Sequence, residues 1–338
     1  MKYLRGILKV LVVVFVVGVL LYFTGPKPTK PVLIPLAQAI MDPTDFNPNY
    51  VVQTVTKAEQ EIDIRSGNES ILYWADTANK KTKYVLLYLH GFSASPMEGN
   101  PVHMDFVKKY GMNMYAPLLA DHGLAEEEPM LYFTAEKYIE SAKQALRLAR
   151  LMGDSVIIMA TSTGCTAALF LASEPRNQVH SLICYSPNIR VFDKRASLLT
   201  EPWGLQISRL VKGGDYNIWE ASAEVERYWH LKYRLESVVE MQLLLEATMH
   251  KETFKQVTVP TFIGYYYKNK EEQDNVVSVP HILEMYDQLG SAKKRKVAFS
   301  EAGAHAIASD LFSRTTQAVS DSTYVFAEEV LRLNTLSN

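Results

Sequence analysis

The feature that most constrains the fold is a repeated alternation of short apolar runs with longer amphipathic segments. The apolar runs are rich in β-branched and aromatic residues, as strands buried on both faces are. The segments between them repeat apolar residues three and four positions apart, which is typical of helices. The predicted strands are 84–90, 112–118, 155–161, 181–187, 261–267 and 295–301, and the predicted helices between them include 99–111, 134–153 and 165–174. This alternation predicts an α/β fold with a mostly parallel central sheet flanked by helices.

One stretch, residues 189–250, interrupts the alternation. It is helical in character, contains no strand candidate and carries three of the four tryptophans, namely Trp203, Trp219 and Trp229. Two interpretations stay open: an extra helical layer whose aromatic residues fill its own core, or a helical cap inserted over a pocket. Such a pocket would lie at the carboxyl ends of the strands, where open α/β sheets bind ligands.

The N-terminus predicts a membrane anchor. Lys2, Arg5 and Lys9 precede an uncharged run that continues to Gly25. A helix over 7–24 would be about 27 Å long, close to the thickness of a bilayer's hydrocarbon core. A cleaved signal peptide is the alternative, but "LLYFTGP" offers bulky residues where a cleavage site needs small ones. We therefore expect residues 1–25 to form a transmembrane signal anchor, with the catalytic domain on the non-cytoplasmic side because positive charge is denser before the span.

Prolines mark the boundary between this anchor and the globular part. The segment 26–49 contains Pro26, Pro28, Pro31 and Pro35, which favour a stiff, extended linker. The globular domain is predicted to cover 50–338, with the insertion at about 189–250 inside it.

Composition excludes several classes of function. The formal net charge is −2, and the short basic run "KKRK" at 293–296 is interpreted as a solvated turn, so no nucleic-acid partner is expected. The two cysteines, Cys165 and Cys184, lie in apolar surroundings and form no zinc-binding pattern, so we expect buried thiols. The chain has no Walker sequence, dinucleotide fingerprint or HExxH motif, so no cofactor and no metal are predicted.

Ser162 follows the third predicted strand and precedes a run of small helix-forming residues. A nucleophile on a sharp strand-to-helix turn needs small residues two positions before and after it, and Ala160 and Gly164 meet that need in an A-x-S-x-G pattern. Such a turn points the Thr163 backbone N–H at an oxyanion, from the start of a helix whose dipole favours negative charge. Taken alone, the pattern also fits a plain strand–helix connection.

Three further motifs follow predicted strands. His90-Gly91-Phe92 ends the first, and its glycine allows a close turn that leaves the Phe92 N–H free as a second oxyanion donor. Asp274 precedes a Val-Val pair after the fifth strand. His305 lies in the Gly/Ala-rich loop "SEAGAHAIASD" after the sixth, where no bulky neighbour hinders its imidazole.

These four motifs, in this order, resemble the α/β-hydrolase fold, and within it the branch of monoacylglycerol lipases and carboxylesterases. The resemblance covers roughly residues 80–335. The loop "APLLADHGL" is also similar to one that commonly ends in Gly-His-Gly in that branch, with Asp121 in place of the first glycine.

The resemblance implies a catalytic triad. Ser162 would be the nucleophile, His305 the general base and acid, and Asp274 the carboxylate that orients the imidazole. The backbone N–H groups of Phe92 and Thr163 would form the oxyanion hole. Three other acids compete for the role of Asp274: Glu271, Glu272 and Asp310.

The function that follows is a membrane-anchored serine hydrolase acting on small-molecule or lipid carboxylic esters, among them monoacylglycerols. An aminopeptidase or an acyltransferase of the same fold is an alternative, and the acidic run "EEE" at 126–128 could then hold a substrate's α-ammonium group. A membrane-tethered binding protein without turnover is a third possibility. The sequence leaves the oligomeric state and the acyl-chain length open.

Overall fold

The computed structural model describes residues 2–34, 47–175 and 178–335. The strands are β1 (Ile71–Tyr73), β2 (Thr82–Leu89), β3 (Asn113–Ala116), β4 (Gly153–Thr161), β5 (Val179–Tyr185), β6 (Tyr216–Ile218), β7 (Lys232–Arg234), β8 (Thr261–Tyr265) and β9 (Lys294–Ala298). The α-helices are α1 (Lys2–Phe23), α2 (Pro48–Gln60), α3 (Val102–Tyr110), α4 (Ala135–Met152), α5 (Thr163–Ser173), α6 (Gly204–Lys212), α7 (Ala223–Tyr228), α8 (Leu235–Thr248), α9 (Lys251–Gln256), α10 (Val279–Gln288) and α11 (Thr316–Glu329). Short 3₁₀ helices cover Pro96–Gly99 and Lys194–Thr200.

Among the described residues, seven strands form the main sheet, in the order β1-β3-β2-β4-β5-β8-β9. Every neighbouring pair is parallel except β1 and β3. All six strands predicted from the sequence are present, and the predicted mostly parallel sheet flanked by helices is confirmed. Strand β1 was not predicted, because a three-residue edge strand is too short to show a pattern.

The core lies on both faces of this sheet. Val85, Leu87 and Leu89 of β2 belong to one cluster of buried side chains, while Leu86 and Tyr88 belong to the other. This split follows from the two-residue period of a strand, which points successive side chains to opposite faces. Both faces are apolar, which explains why the strands appear in the sequence as unbroken apolar runs.

The basic run at 293–296 is not the solvated turn that its charge predicted. Its last three residues belong to β9, which pairs with β8 at the edge of the sheet. Lys294 Nζ donates to the carbonyl oxygens of Tyr286 and Leu289, at 2.7 and 3.2 Å. An edge strand tolerates this composition because its long basic side chains reach solvent or nearby carbonyl groups. Cys165 and Cys184 are free and buried, as predicted.

The insertion at about 189–250 contains a 3₁₀ helix and three α-helices, α6 to α8, in keeping with its helical character. It also contains a small antiparallel pair, β6 and β7, which pairs Tyr216 with Arg234 and Ile218 with Lys232. The prediction that this stretch has no strand is therefore wrong. Strands of three residues that pair only with each other are again too short for their period to appear in the sequence.

Within the described residues, one helix is long and apolar enough to cross a membrane. The segment Arg5–Phe23 has 19 residues and a mean hydropathy of 2.7, and none of it is buried inside the protein. It lies within α1, where the sequence placed an apolar helix.

Residues 26–34, the first part of the predicted linker, contact the globular part of the protein. Val32 N donates to Glu136 Oε1 at 3.0 Å, and Lys143 Nζ donates to the carbonyl oxygen of Ile34. Residues 35–46 of the predicted linker lie outside the described residues. The next element, α2, begins at Pro48, two residues before the predicted start of the globular domain.

Candidate active site

Ser162 occupies the turn between β4 and α5 in an unusual backbone conformation. Its φ and ψ angles are 54° and −120°, although a positive φ is uncommon for a residue other than glycine. The Ser162 N–H donates to the carbonyl oxygen of Tyr185 on the neighbouring strand, at 2.9 Å. Strained backbone of this kind persists where the surrounding structure holds it in place, and it is frequent at functional sites.

Gly164 allows α5 to approach the sheet closely. A Cβ atom at this position would lie 2.1 Å from the carbonyl oxygen of Leu89, so no side chain fits. Ala160, two residues before the serine, is fully buried in the core beside β2. The fold therefore accommodates the methyl group of Ala160. At Gly164, by contrast, the contact with Leu89 leaves no room for a side chain.

His305 and Asp274 are in direct contact. His305 Nδ1 lies 2.6 Å from Asp274 Oδ2, and the other oxygen of Asp274 accepts the N–H groups of Val276 and Val277 at 2.9 and 3.0 Å. The Asp274 side chain has no exposed surface. Both residues follow strands of the main sheet, Asp274 after β8 and His305 after β9, which is why two loops distant in sequence meet here.

This contact shifts both pKa values. Burial alone would raise the pKa of Asp274, but the charge and hydrogen bond of His305 and the two backbone N–H groups bring it below its ordinary value. Burial alone would lower the pKa of His305, but the charge and hydrogen bond of Asp274, with a further contribution from Glu98, raise it above its ordinary value. The pair therefore favours a charged imidazolium next to a carboxylate.

Ser162 and His305 line the same cavity. His305 Nε2 is buried, and it has no hydrogen-bond partner among the described residues. No hydrogen bond joins it to Ser162 Oγ in that part of the chain. A buried ring nitrogen without a partner is costly, and Nδ1 already binds Asp274, so Nε2 is the atom of this ring that is left to pair with a group entering the cavity.

Phe92 and Thr163 line this cavity as well. Thr163 is the first residue of α5, so its backbone N–H has no acceptor within the helix. The Phe92 ring contacts His122, Phe133 and Tyr233 edge-on, with ring centres 5.3 to 5.9 Å away. Four of the five predicted site residues, Phe92, Ser162, Thr163 and His305, therefore line one cavity, and the fifth, Asp274, is buried behind it against His305.

Glu98 also lines the cavity, although it was not predicted from the sequence as a site residue. It lies in the 3₁₀ helix Pro96–Gly99 and is 3% exposed. Its Oε2 accepts the N–H of Gly91 at 2.6 Å and the hydroxyl of Tyr88 at 3.3 Å. Burial raises the pKa of Glu98 to about 7, although the Gly91 N–H, the charge of His305 and the Tyr88 hydroxyl act in the opposite direction. Nothing in its local sequence indicates that this acid is buried.

Two further residues that were not predicted from the sequence form hydrogen bonds to the site residues. Ser186, with a φ of 44°, donates from its hydroxyl to the carbonyl oxygen of His305 at 2.6 Å. The Asn188 N–H donates to the carbonyl oxygen of Ser162 at 3.1 Å, and its side-chain amide donates to Thr163 Oγ1 at 3.2 Å. Both follow β5, in the segment "YSPNI". Two polar residues so close to the end of a buried strand could have indicated from the sequence that they belong to a functional site.

The cavity has a volume of about 420 Å³ and a predominantly apolar lining. Of the insertion's tryptophans, Trp219 and Trp229 line it, and Trp203 does not. Its apolar residues are Phe92, Val191, Trp219, Trp229, Tyr233, Val238, Met241, Val276, Ala306 and Phe312. Because several come from the insertion, this segment covers the carboxyl ends of the strands as well as packing on the domain.

The other acids that competed with Asp274 for its role do not line the cavity. Glu272 is exposed and pairs with Lys268 at 3.2 Å, and Glu271 and Asp310 are also exposed. None of the acids at 126–128 lines the cavity; Glu128 instead binds Arg234 at 2.7 Å. Within the described ranges, no group of three His, Cys, Asp or Glu side chains is placed to hold a metal ion.

No protein-family model matches the chain, and no curated protein matches its sequence. Solved structures do match. A structure of the metagenome-derived lipolytic enzymes LipS and LipT has a TM-score of 0.64 at 16% identity and covers 79% of this chain and 100% of that chain. A monoacylglycerol lipase from Paleococcus ferrophilus has a TM-score of 0.53 at 11% identity, covering 75% and 96%. MenH from S. aureus has a TM-score of 0.50 at 17% identity, covering 77% and 98%. At these identities the likeness shows the fold, which is that of the α/β hydrolases, as the sequence motifs predicted.

Proposed function

We propose that this chain, which has the α/β-hydrolase fold, is a serine hydrolase that cleaves carboxylic esters. One observation carries the proposal: His305 binds Asp274 through Nδ1 at 2.6 Å, leaves Nε2 without a partner, and lines the same cavity as Ser162. This is the arrangement in which an imidazole can take a proton from a serine hydroxyl while a carboxylate stabilises the resulting charge.

The reaction proceeds in two halves. Ser162 Oγ attacks the carbonyl carbon of the ester as His305 Nε2 takes the hydroxyl proton, and the carbonyl π electrons move to its oxygen. The backbone N–H groups of Phe92 and Thr163 stabilise that oxyanion. The intermediate collapses by expelling the alkoxide, which receives the proton from His305, and leaves an acyl group on Ser162. Water then attacks the acyl-enzyme carbonyl as His305 takes a proton from it. The second intermediate collapses by expelling Ser162 Oγ, which takes that proton back from His305, and the carboxylic acid is released.

The cavity supports an apolar acyl or alcohol group as substrate. Its volume of about 420 Å³ and its tryptophan, valine and methionine side chains favour a chain of modest length over a polar group. A second candidate is an aminopeptidase, because Glu98 gives the cavity an acidic side chain that could bind an α-ammonium group.

The apolar helix α1 supports a membrane-anchored protein. Its 19-residue apolar segment matches the length that a bilayer requires, and its surface is not used for packing inside the protein. The proposed arrangement is an uncleaved anchor with the catalytic domain on the non-cytoplasmic side, where the positive charges near the N-terminus place it.

The test uses the full chain in lipid nanodiscs, treated with a fluorophosphonate probe and assayed with p-nitrophenyl esters of increasing acyl length. We expect labelling at Ser162 and ester hydrolysis, both lost in Ser162→Ala. Ser66→Ala, which alters an exposed serine outside the cavity, is the matched control and should keep both. Aminoacyl p-nitroanilides are assayed in parallel. Faster turnover of these amides than of the esters would favour the aminopeptidase, and absence of both labelling and turnover in the wild-type chain would refute the proposal.

A further inference from the structure

Helix α6 in the insertion carries an exposed apolar face. Trp203, directly before the helix, and Ile207, Leu210 and Val211 lie on one side of it, since residues four, seven and eight positions apart share a helical face. Leu210 is 83% exposed, Val211 71% and Ile207 47%. We call these four residues the α6 face. Side chains of this size in a contiguous exposed group indicate a contact surface.

The α6 face adjoins the end of α1. The Trp203 N–H donates to the carbonyl oxygen of Pro26 at 2.9 Å, and its indole Nε1 donates to the carbonyl oxygen of Leu21 at 3.0 Å. Gly25 packs directly on the indole, because a Cβ atom there would lie 2.1 Å from Nε1. Lys27 also pairs with Glu201 at 3.1 Å. The last turn of α1 and the residues that follow it, to Lys27, are therefore joined to the insertion by several contacts.

These contacts fix where α6 lies relative to a bilayer. If α1 spans the membrane, its last turn and the proline that follows lie at the membrane–water interface. Trp203, which bonds to both, is then at the interface too, the region that tryptophan prefers. The nine residues of α6 begin directly after it, so the whole helix lies within about 13 Å of that point.

We propose that the α6 face docks on the surface of a phospholipid bilayer, with Leu210 and Val211 inserted at the boundary between head groups and acyl chains. The proposal rests on the proposed membrane anchor. Lys212, in the last turn of α6, places a positive charge beside the apolar face, which suits anionic head groups. If α1 spans the membrane, the bilayer lies next to this face, so a second copy of the chain bound there would have to take the bilayer's place.

The docking also orients the cavity. Helix α6 packs on α8, and α8 supplies Val238 and Met241 to the cavity lining. A bilayer held against α6 therefore lies next to the element that covers the candidate active site, so an ester dissolved in the membrane has a short path to Ser162.

The experiment places a fluorescent NBD label at single introduced cysteines in the full chain, reconstituted in nanodiscs of phosphatidylcholine and phosphatidylglycerol. The variants are Leu210→Cys and Val211→Cys on the α6 face, Tyr22→Cys at the end of α1, and Thr77→Cys in the exposed loop between β1 and β2, at the amino ends of the parallel strands. Both native cysteines are buried, and the unsubstituted chain measures any labelling that they contribute. Quenching by lipids that carry a doxyl group reports contact with the bilayer.

We expect strong quenching at positions 210, 211 and 22, and none at 77. Quenching at 22 without quenching at 210 and 211 overturns the docking and leaves the anchor intact. No quenching at any of the three positions removes the anchor and the docking with it. Emission shifted to the blue at 210 without lipid quenching indicates a protein partner, such as a second copy, and also overturns the proposal. Ester hydrolysis by each labelled variant shows that it remains folded.

Discussion

His305 lies near two carboxyl groups of different character. Asp274 is bound to Nδ1, and His305 together with two backbone N–H groups holds the pKa of this carboxyl below its ordinary value, so it provides a negative charge on one side of the ring that does not change near neutral pH. Glu98, which also lines the cavity, has its pKa raised to about 7 by burial, so its charge changes near neutral pH. The basicity of the imidazole therefore depends on one constant and one variable charge.

Replacing Asp274 tests the constant charge. In Asp274→Asn the imidazole loses the charge that raises its pKa, so the acidic limb of kcat/KM moves to lower pH, because the base must be neutral to act. We also expect kcat to fall about 10⁴-fold, since the amide no longer holds the productive tautomer. Asp310→Asn, which alters an exposed acid close in sequence to the histidine, should match the wild type in both respects. An acidic limb that stays in place in Asp274→Asn contradicts the assigned role.

Replacing Glu98 tests the variable charge. Glu98→Gln keeps an acceptor for the Gly91 N–H but removes the negative charge that raises the pKa of His305. We expect the acidic limb of kcat/KM to move to lower pH, with less than about a tenfold change in kcat on the plateau. Glu240→Gln is the matched control, because Glu240 is a partly buried acid outside the cavity that likewise accepts a backbone N–H, that of Ala135 at 3.2 Å. A pH profile that superimposes on the wild type would show that Glu98 has only a structural role.

At the scale of elements, the junction of β4 and α5 is where packing and proposed chemistry meet. Helix α5 lies so close to β2 that Gly164 nearly touches the carbonyl oxygens of Leu89 and His90. This closeness places the first turn of α5, with the Thr163 N–H, over the carboxyl ends of the central strands. The positive φ of Ser162 and the close approach of Gly164 to β2 therefore both result from the short connection between β4 and α5.

Gly164→Ala tests this junction. The added methyl group would lie 2.1 Å from a backbone oxygen, so helix and strand must separate, and overpacking of this kind costs about 1–3 kcal/mol or more. We expect a lower midpoint of thermal unfolding and a loss of fluorophosphonate labelling at Ser162. Gly214→Ala, where the new Cβ meets nothing within 4 Å, should leave both unchanged. Unchanged stability in Gly164→Ala would mean that the helix is less tightly packed than the structure has it.

Elements also explain what the sequence could predict. The six longer strands were predictable because each lies in an apolar run of the sequence, and the proposed triad was predictable because each member lies in the turn or loop that follows one of those strands. The strands β1, β6 and β7 were not, since three residues carry no period. Glu98 was missed for another reason: its burial arises from the packing of a short 3₁₀ helix on Tyr88 and Gly91, which its neighbours in sequence do not encode. The role of Trp203 depends likewise on a contact with a segment about 180 residues away.

At the scale of the whole molecule, residues 26–34 form a strap that runs from α6 to α4. Contacts at both ends hold it: Pro26 and Lys27 bind the insertion, and Val32 and Ile34 bind Glu136 and Lys143 of α4. A free tether would let the domain tumble above a membrane. A strap held at both ends instead gives the domain one orientation relative to α1, which the docking of α6 requires.

Hydrogen exchange distinguishes the strap from a free tether. In the full chain in nanodiscs, we expect the Val32 and Trp203 amides to exchange more slowly than the exposed amides of Thr29 and Lys30, by about fivefold for a hydrogen bond worth about 1 kcal/mol. Glu136→Ala removes the acceptor of Val32, so it should abolish protection there while leaving the Trp203 amide protected by Pro26. Glu201→Ala, which breaks only an exposed ion pair, serves as the control and should change neither amide, because such pairs contribute little. If both amides of the wild-type chain exchange at the rate of an unstructured peptide, the domain moves independently of α1. A fixed position of α6 at the membrane would then have no structural basis.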